Sequence, residues 1–135
     1  MKFYGVLVRL LVAGCVFLPH IASAEFHIAV AGPMKGQFGA LGNQIRAGAE
    51  QAVVDINMNG GLLGEPLILD TVDDGCEEAK AKAVANQLIG RGVSMVIGHV
   101  CFGASIPASE IYSDAGIVQI SPATTLPKYT DDRPG

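Results

Sequence analysis

The chain alternates four times between short stretches typical of strands and longer stretches typical of helices, and this alternation constrains its fold more than any other feature. Residues 26–31 are an apolar run bounded by glycine, as expected for a strand buried on both faces. From Asn43 onward, apolar residues recur every three or four positions, which predicts one buried face of a helix. Asn43 is the predicted N-cap of this helix, and Asn59 with the two glycines after it is expected to end it.

The same order of strand and helix repeats along the rest of the chain. Strands are predicted at residues 66–72, 94–97 and 117–120, and helices are predicted from Glu77 and over about 105–115. Pro107 is expected in the first turn of the last helix, because proline has no N–H group to donate. Strands that alternate with helices through short connections form parallel sheets with helices on both faces. The predicted fold class is therefore α/β, a doubly wound parallel sheet.

In such a sheet, ligands bind beyond the carboxyl ends of the strands, where the connections line a crevice. The candidate site is therefore made of the four segments that follow the strands, residues 32–42, 73–76, 99–105 and 121–126. The glycines of the first segment have neither the Gly-Lys-Ser/Thr end of a phosphate loop nor the G-x-G-x-x-G spacing of a dinucleotide loop. They predict a flexible turn that passes close to a bound molecule, and no cofactor is expected.

The first 24 residues have the pattern of a cleaved export signal. Lys2 and Arg9 flank an apolar run that is too short to span a bilayer, and the small side chains at 22–24 suit a signal peptidase. A lipid-modified Cys15 is the alternative, but the apolar run simply continues after it. Cleavage after Ala24 removes two basic residues, so the formal net charge changes from −4 to −6. An exported acidic chain disfavours nucleic acid as a partner.

Two cysteines, Cys76 and Cys101, remain after the signal is removed, and each follows a predicted strand. Successive crossovers should bring these ends onto neighbouring strands, so an oxidising compartment favours a disulfide. Two alternatives stay open: a reduced Cys101 with His99 as a hydrolytic pair, or a zinc site of both cysteines, His99 and a carboxylate such as Asp73. For His99 itself we expect a ring hydrogen bond to the backbone at the end of its strand.

Two turns of small residues, called here the first and the second corner, lie at these strand ends. The first corner, residues 102–105, leads into a helix, so its free N–H groups and the helix dipole suit a carboxylate. The second corner, residues 121–125, offers the hydroxyls of Ser121, Thr124 and Thr125, which can accept hydrogen bonds from an ammonium group. The two corners predict a receptor for a zwitterion, although turns of this composition are also common in ordinary loops.

Seven stretches occur in order through almost all of residues 25–127: IAVAGPMKGQFGALGNQ, GAEQAVVDIN, DDGC, VANQLI, VIGHVC, PASEIY and ISPATT. Together they resemble the leucine/isoleucine/valine-binding type of periplasmic binding protein, which serves branched-chain amino acid ABC importers. The resemblance implies a type I fold of two lobes that close on an amino acid and deliver it to a permease in the inner membrane. Residues 25–135 would then be a truncated first lobe, without the second.

The resemblance also implies which residues act. It implies a disulfide between the two cysteines, and ligand contacts from Phe102, Gly103, Ala123, Thr124 and Thr125. The family commonly has a serine where Phe102 stands and an aromatic residue where Leu41 stands, so this pocket differs from that of the family. A receptor for aliphatic amides and the ligand-binding domain of a sensory receptor therefore stay as alternatives.

Overall fold

The structure, a computed structural model, describes residues 25–131. The predicted export signal and the alternative lipid site at Cys15 lie outside these residues. Four strands and three α-helices alternate: β1 (Phe26–Gly32), α1 (Gly39–Met58), β2 (Leu67–Asp73), α2 (Glu78–Gly90), β3 (Met95–Gly98), α3 (Phe102–Asp114) and β4 (Val118–Ile120). Two short 3-10 helices, Gly36–Phe38 and Pro127–Tyr129, complete the order. None of the helices in this range has both the length and the apolar character to cross a membrane.

All four strands are parallel, and their spatial order is β2-β1-β3-β4. β1 is central, with Val30 paired to Thr71 of β2 on one side and to Ile97 of β3 on the other. Helices α2 and α3 pack against one face of the sheet and against each other, whereas α1 packs on β1 and β2. The predicted doubly wound α/β class is confirmed.

The main core lies between the sheet and the pair α2/α3. The buried face of α2 consists of Ala81, Val84, Ala85 and Leu88, and small side chains on both helices let them approach closely. The fully buried members of this core include Ala29, Ala31, Ala81, Ala85, Leu88, Val96, Ala104, Ala108 and Tyr112. Because β1 contributes the small side chains of Ala29 and Ala31 to this face, the helices can lie close to the central strand.

The predicted start of α1 is wrong. The helix begins at Gly39, so Asn43 lies inside it, where its side-chain amide donates to the carbonyls of Met34 (3.0 Å) and Gly39 (2.7 Å). A Cβ on Gly42 would overlap the backbone carbonyl of Pro33. Glycine therefore lets the first turns of α1 lie directly against the loop that leaves β1, and Asn43 ties the two together.

The predicted start of α3 is also wrong. Its first turn forms directly after Cys101, whose carbonyl accepts from the amides of Ala104 (2.9 Å) and Ser105 (2.8 Å). Pro107 consequently lies inside the helix rather than in its first turn. Because Pro107 has no N–H group, the carbonyl of Gly103 lacks the donor that an α-helix normally supplies.

Candidate functional site

The segments that follow the four strands meet at one edge of the sheet, as predicted. Beyond β1 and β2, the Met34 amide donates to the Asp73 carboxylate (2.9 Å) and the Asp74 amide donates to the Gly32 carbonyl (3.1 Å). Beyond β3 and β4, the Ser121 hydroxyl donates to the His99 carbonyl (2.6 Å). The candidate site is thus one connected surface, built from segments that are far apart in sequence.

A disulfide joins Cys76 to Cys101, with 5.4 Å between their Cα atoms. The prediction that these cysteines follow neighbouring strands is wrong, because β1 lies between β2 and β3. The bridge therefore connects the segments beyond the two strands that flank β1. On the β2 side the chain turns sharply at Gly75 and Cys76, both in the left-handed region with φ near 60°. On the other side Cys101 is the residue from which α3 starts.

His99 is fully buried, and its ring binds two side chains rather than the backbone, so that expectation is wrong. Its Nδ1 lies 2.5 Å from Asp74 Oδ2, and its Nε2 lies 3.2 Å from the Tyr112 hydroxyl. The other Asp74 oxygen accepts from the Cys76 amide (2.8 Å). Burial, with a contribution from the Asp74 charge, raises the pKa of Tyr112, so its hydroxyl keeps its proton and can donate to Nε2. Nδ1–H then donates to Asp74, and every polar atom of the three side chains is paired.

This arrangement removes the basis for a hydrolytic pair. The Cys101 sulfur is bonded to Cys76 and cannot be a thiolate, and both ring nitrogens of His99 are engaged inside the protein. The zinc alternative finds no support either, since residues 25–131 contain no group of three or more His, Cys, Asp or Glu side chains that could hold a metal ion.

The first corner exposes the start of α3. Phe102 and Gly103 are the first two residues of the helix, where the N–H groups have no acceptor within the helix. No side chain caps this end. Phe102 is 41% exposed, and Gly103 is exposed as well. The two amides and the positive end of the helix dipole are therefore open to an anion.

The second corner is hydrogen-bonded to the first through three hydroxyls. Ser121 Oγ donates to the His99 carbonyl (2.6 Å), and Ser105 Oγ donates to the same carbonyl (2.9 Å). Thr124 Oγ1 donates to Ser105 Oγ (2.6 Å). Ala123 and Thr125 are exposed beside this connection. The structure thus brings all five predicted ligand-binding residues to one edge, with Thr125 as the outward hydroxyl of the turn.

A cavity of about 420 Å³ lies beside the first corner. Phe102, Ile106 and Leu126 are among the apolar residues that line it, and Lys82 and Lys128 are among the charged ones. Its lining includes Phe102 and Gly103 but no residue of the second corner. The first corner therefore borders this cavity, whereas the second corner is not part of its lining.

Asp73 is a residue whose role the sequence did not indicate. One carboxylate oxygen accepts from the amides of Met34 (2.9 Å) and Gly75 (3.0 Å), and the other pairs with Lys80 (2.8 Å). The hydrogen bond from Lys80, followed by that from the Met34 amide, lowers the pKa of Asp73 to about 2. The Asp73 carboxylate thus holds the loop after β1 against the loop after β2. Two of its three partners lie 39 residues before it and seven after it, so no local pattern reveals those two.

A sequence profile of the periplasmic binding proteins matches residues 25–134. The chain belongs to this family. Among curated relatives of this periplasmic binding protein is the Leu/Ile/Val/Thr-binding protein of Salmonella typhimurium, 44% identical over 125 residues. That match covers 90% of this chain and 34% of the relative, so the chain spans about a third of the length of the curated relatives it matches.

Solved structures agree with this assignment. The branched-chain amino acid transporter substrate binding protein of Streptococcus pneumoniae, in complex with isoleucine, matches with a TM-score of 0.76 at 30% identity, over 81% of this chain and 32% of that one. An ABC transporter substrate-binding protein from Desulfitobacterium hafniense, in complex with Leu, matches with a TM-score of 0.70 at 41% identity, over 80% and 31%. The type I periplasmic binding protein fold that the sequence resemblance implied is confirmed for this lobe.

Proposed function

We propose that this chain supplies the first lobe of a periplasmic amino acid receptor that delivers branched-chain or related amino acids to an ABC permease in the inner membrane. The observation that carries the proposal is the pairing of the two corners: open helix amides stand beside a hydroxyl-rich turn, and hydrogen bonds join them. Two solved relatives with isoleucine and leucine bound, and the name of the Salmonella relative, support the ligand class.

In this proposal the first corner binds the ligand carboxylate. The amides of Phe102 and Gly103 donate to the carboxylate oxygens, and the dipole of α3 stabilises the negative charge. The second corner binds the ammonium group, which donates to the Ala123 carbonyl and the Thr125 hydroxyl. A backbone-based site of this kind selects for the two charged ends of an amino acid rather than for its side chain.

Phe102 bears on which amino acids fit. Its ring occupies the position next to the proposed carboxylate site, so the carboxylate is bound by backbone amides without a hydroxyl from this residue. The ring also adds apolar surface, on which an aliphatic ligand side chain can pack. These properties favour an apolar amino acid.

The proposed lobe closes on its ligand only with a second lobe. We propose that the second lobe supplies an acidic side chain to the ammonium group, and that export through the signal at residues 1–24 brings the protein to the periplasm. Membrane anchoring through Cys15 is the less favoured alternative.

The test is a ligand panel on the protein expressed from its complete gene. Thermal unfolding is followed with leucine, isoleucine and valine, with leucinamide, which lacks the carboxylate, and with isocaproate, which lacks the ammonium group. We expect at least one amino acid to raise the Tm and both analogues to have little effect, because a ligand that binds the folded state stabilises it by mass action. Stabilisation by aliphatic amides alone would mean that the ligands are amides rather than amino acids. A lack of stabilisation by every amino acid would overturn the proposal.

A matched pair of variants locates the site. Thr125→Val removes the outward hydroxyl of the second corner and is expected to reduce the stabilisation by ligand. Thr130→Val removes an exposed hydroxyl whose partner is the adjacent Asp131 (3.2 Å) and is expected to leave it unchanged. If ligand stabilises both variants equally, Thr125 does not contribute to binding.

A further inference from the structure

We propose that Thr124 is a positioning residue, which sets the distance between the two corners and does not itself bind the ligand through its hydroxyl. This inference rests on the proposed function and refines it, since Thr124 belongs to the predicted ligand-binding set. It follows from how the hydroxyl protons around Thr124 are used.

Each hydroxyl in this cluster has one proton to donate, and the geometry assigns each proton to a partner inside the protein. Thr124 Oγ1 donates to Ser105 Oγ at 2.6 Å, and Ser105 Oγ donates to the His99 carbonyl at 2.9 Å. The Thr124 amide donates to Ser121 Oγ at 3.0 Å. The Ser121 Oγ proton has two acceptors within reach, the same His99 carbonyl at 2.6 Å and Thr124 Oγ1 at 2.8 Å, and both lie inside the protein. Two hydrogen-bonded paths thus leave Thr124 and converge on one oxygen.

The two paths connect different parts of the site. Ser105 is fully buried in the first turn of α3, three residues after Phe102. Ser121 begins the second corner. Thr124 therefore joins the turn after β4 to the helix end that offers the open amides, and its side chain provides the connection.

The carbonyl at the junction is itself held in place. The His99 ring is buried between Asp74 (2.5 Å) and the Tyr112 hydroxyl (3.2 Å), so the residue cannot rotate without breaking buried hydrogen bonds. A rigid acceptor that receives both paths fixes the two corners relative to each other before any ligand arrives. Preorganisation of this kind strengthens binding because the ordering cost is not incurred when the ligand binds.

The test compares three variants of the protein expressed from its complete gene, using the amino acid that stabilises the wild type best. Thr124→Val keeps the shape of the side chain but has no hydroxyl, Thr124→Ser keeps the hydroxyl, and Thr130→Val is the control. Loss of one internal hydrogen bond is expected to weaken binding about 3- to 10-fold in Thr124→Val. Thr124→Ser should stay within about 2-fold of the wild type, and the control should not change. Binding is measured by calorimetry at a temperature at which all variants are fully folded.

A double-mutant cycle with Ser105→Ala separates positioning from direct contact. If Thr124 acts through Ser105, the double variant Thr124→Val/Ser105→Ala binds no more weakly than the weaker single variant. Three results would overturn the inference. The losses of affinity of the two single variants could multiply in the double variant, Thr124→Ser could bind as weakly as Thr124→Val, or Thr124→Val could bind like the wild type. A wild-type protein that binds no amino acid would instead overturn the proposed function, and this inference with it.

Discussion

Removal of the disulfide between Cys76 and Cys101 is expected to destabilise this lobe by about 3.5 kcal/mol. The two cysteines are 25 residues apart, and the chain-entropy model gives this value for a closed loop of that length. The contribution arises mainly in the unfolded chain, which the bridge prevents from exploring extended states. It should therefore appear in the free energy of unfolding even if the folded lobe is unchanged.

The assay is urea unfolding followed by circular dichroism, with the oxidised wild type, the wild type in dithiothreitol and the double variant Cys76→Ala/Cys101→Ala. With a denaturant slope of about 1–3 kcal/mol/M, a loss of about 3.5 kcal/mol should lower the midpoint of this lobe by about 1.2–3.5 M on reduction. The double variant should unfold near the reduced wild type and should not respond to the reductant. A reduced wild type that keeps the midpoint of the oxidised protein would refute the reasoning, because the loop constraint would then contribute nothing.

Three further perturbations have expected outcomes. Gly42→Ala should destabilise the protein by about 1–3 kcal/mol, because the added Cβ meets a backbone carbonyl of the loop after β1. Gly48→Ala lies in the same helix, but its added Cβ meets nothing, so it should stabilise the protein by about 0.5–1 kcal/mol. Both effects are measured as shifts of the urea midpoint. Tyr112→Phe leaves the buried histidine without its second partner and should cost about 1–3 kcal/mol, whereas Tyr129→Phe loses a hydrogen bond of 3.5 Å at a part-buried position and should cost less than half as much. The pKa of Asp73 is lowered from 3.8 to about 2, so its contribution is present above about pH 4 and is lost as the pH falls toward 2. After allowance for screening around its half-exposed lysine partner, Asp73→Asn should therefore cost about 1 kcal/mol at pH 7 and almost nothing at pH 2, and an equal difference at both values would contradict this account.

The existence and type of every α-helix and strand in residues 25–131 could be predicted from the sequence, because apolar periodicity is a local property. The starts of α1 and α3 could not. The residues before Asn43 and Ser105 are mostly small and carry no periodic signal, and their helical turns form because they pack against the loop after β1 and follow the bridged Cys101. Tertiary contacts, rather than local preference, decide both boundaries.

The order of the strands also could not be predicted from the sequence. Nothing local distinguishes a sheet in which β1 lies at the edge from one in which it lies between β2 and β3, and the cysteines were therefore expected beyond adjacent strands. The pairing of His99 with Asp74 and Tyr112 depends on this order. Asp74 follows β2, His99 follows β3 and Tyr112 lies in α3, so the hydrogen bonds connect segments on the two sides of β1.

The edge at which the candidate site lies could be predicted, since it follows from the parallel sheet. Which hydroxyls face inward could not. Ser121, Thr124 and Thr125 look alike in the sequence, yet Ser121 and Thr124 donate within the protein and Thr125 is exposed. The difference depends on the positions of Ser105 and the His99 carbonyl, which the fold alone sets.

The central position of β1 has a consequence for the order in which the lobe assembles. β1 is the first strand within residues 25–131. Both strands that hydrogen-bond to it come later, and the second of them, β3, begins only at Met95. During synthesis, at least one edge of β1 must therefore remain without a strand partner until β3 has been made. Cys101 follows within the same short stretch, so the disulfide also cannot form until that stretch has been made. β1 can therefore gain its second strand partner before β3 can, because β4, the outer partner of β3, begins only at Val118.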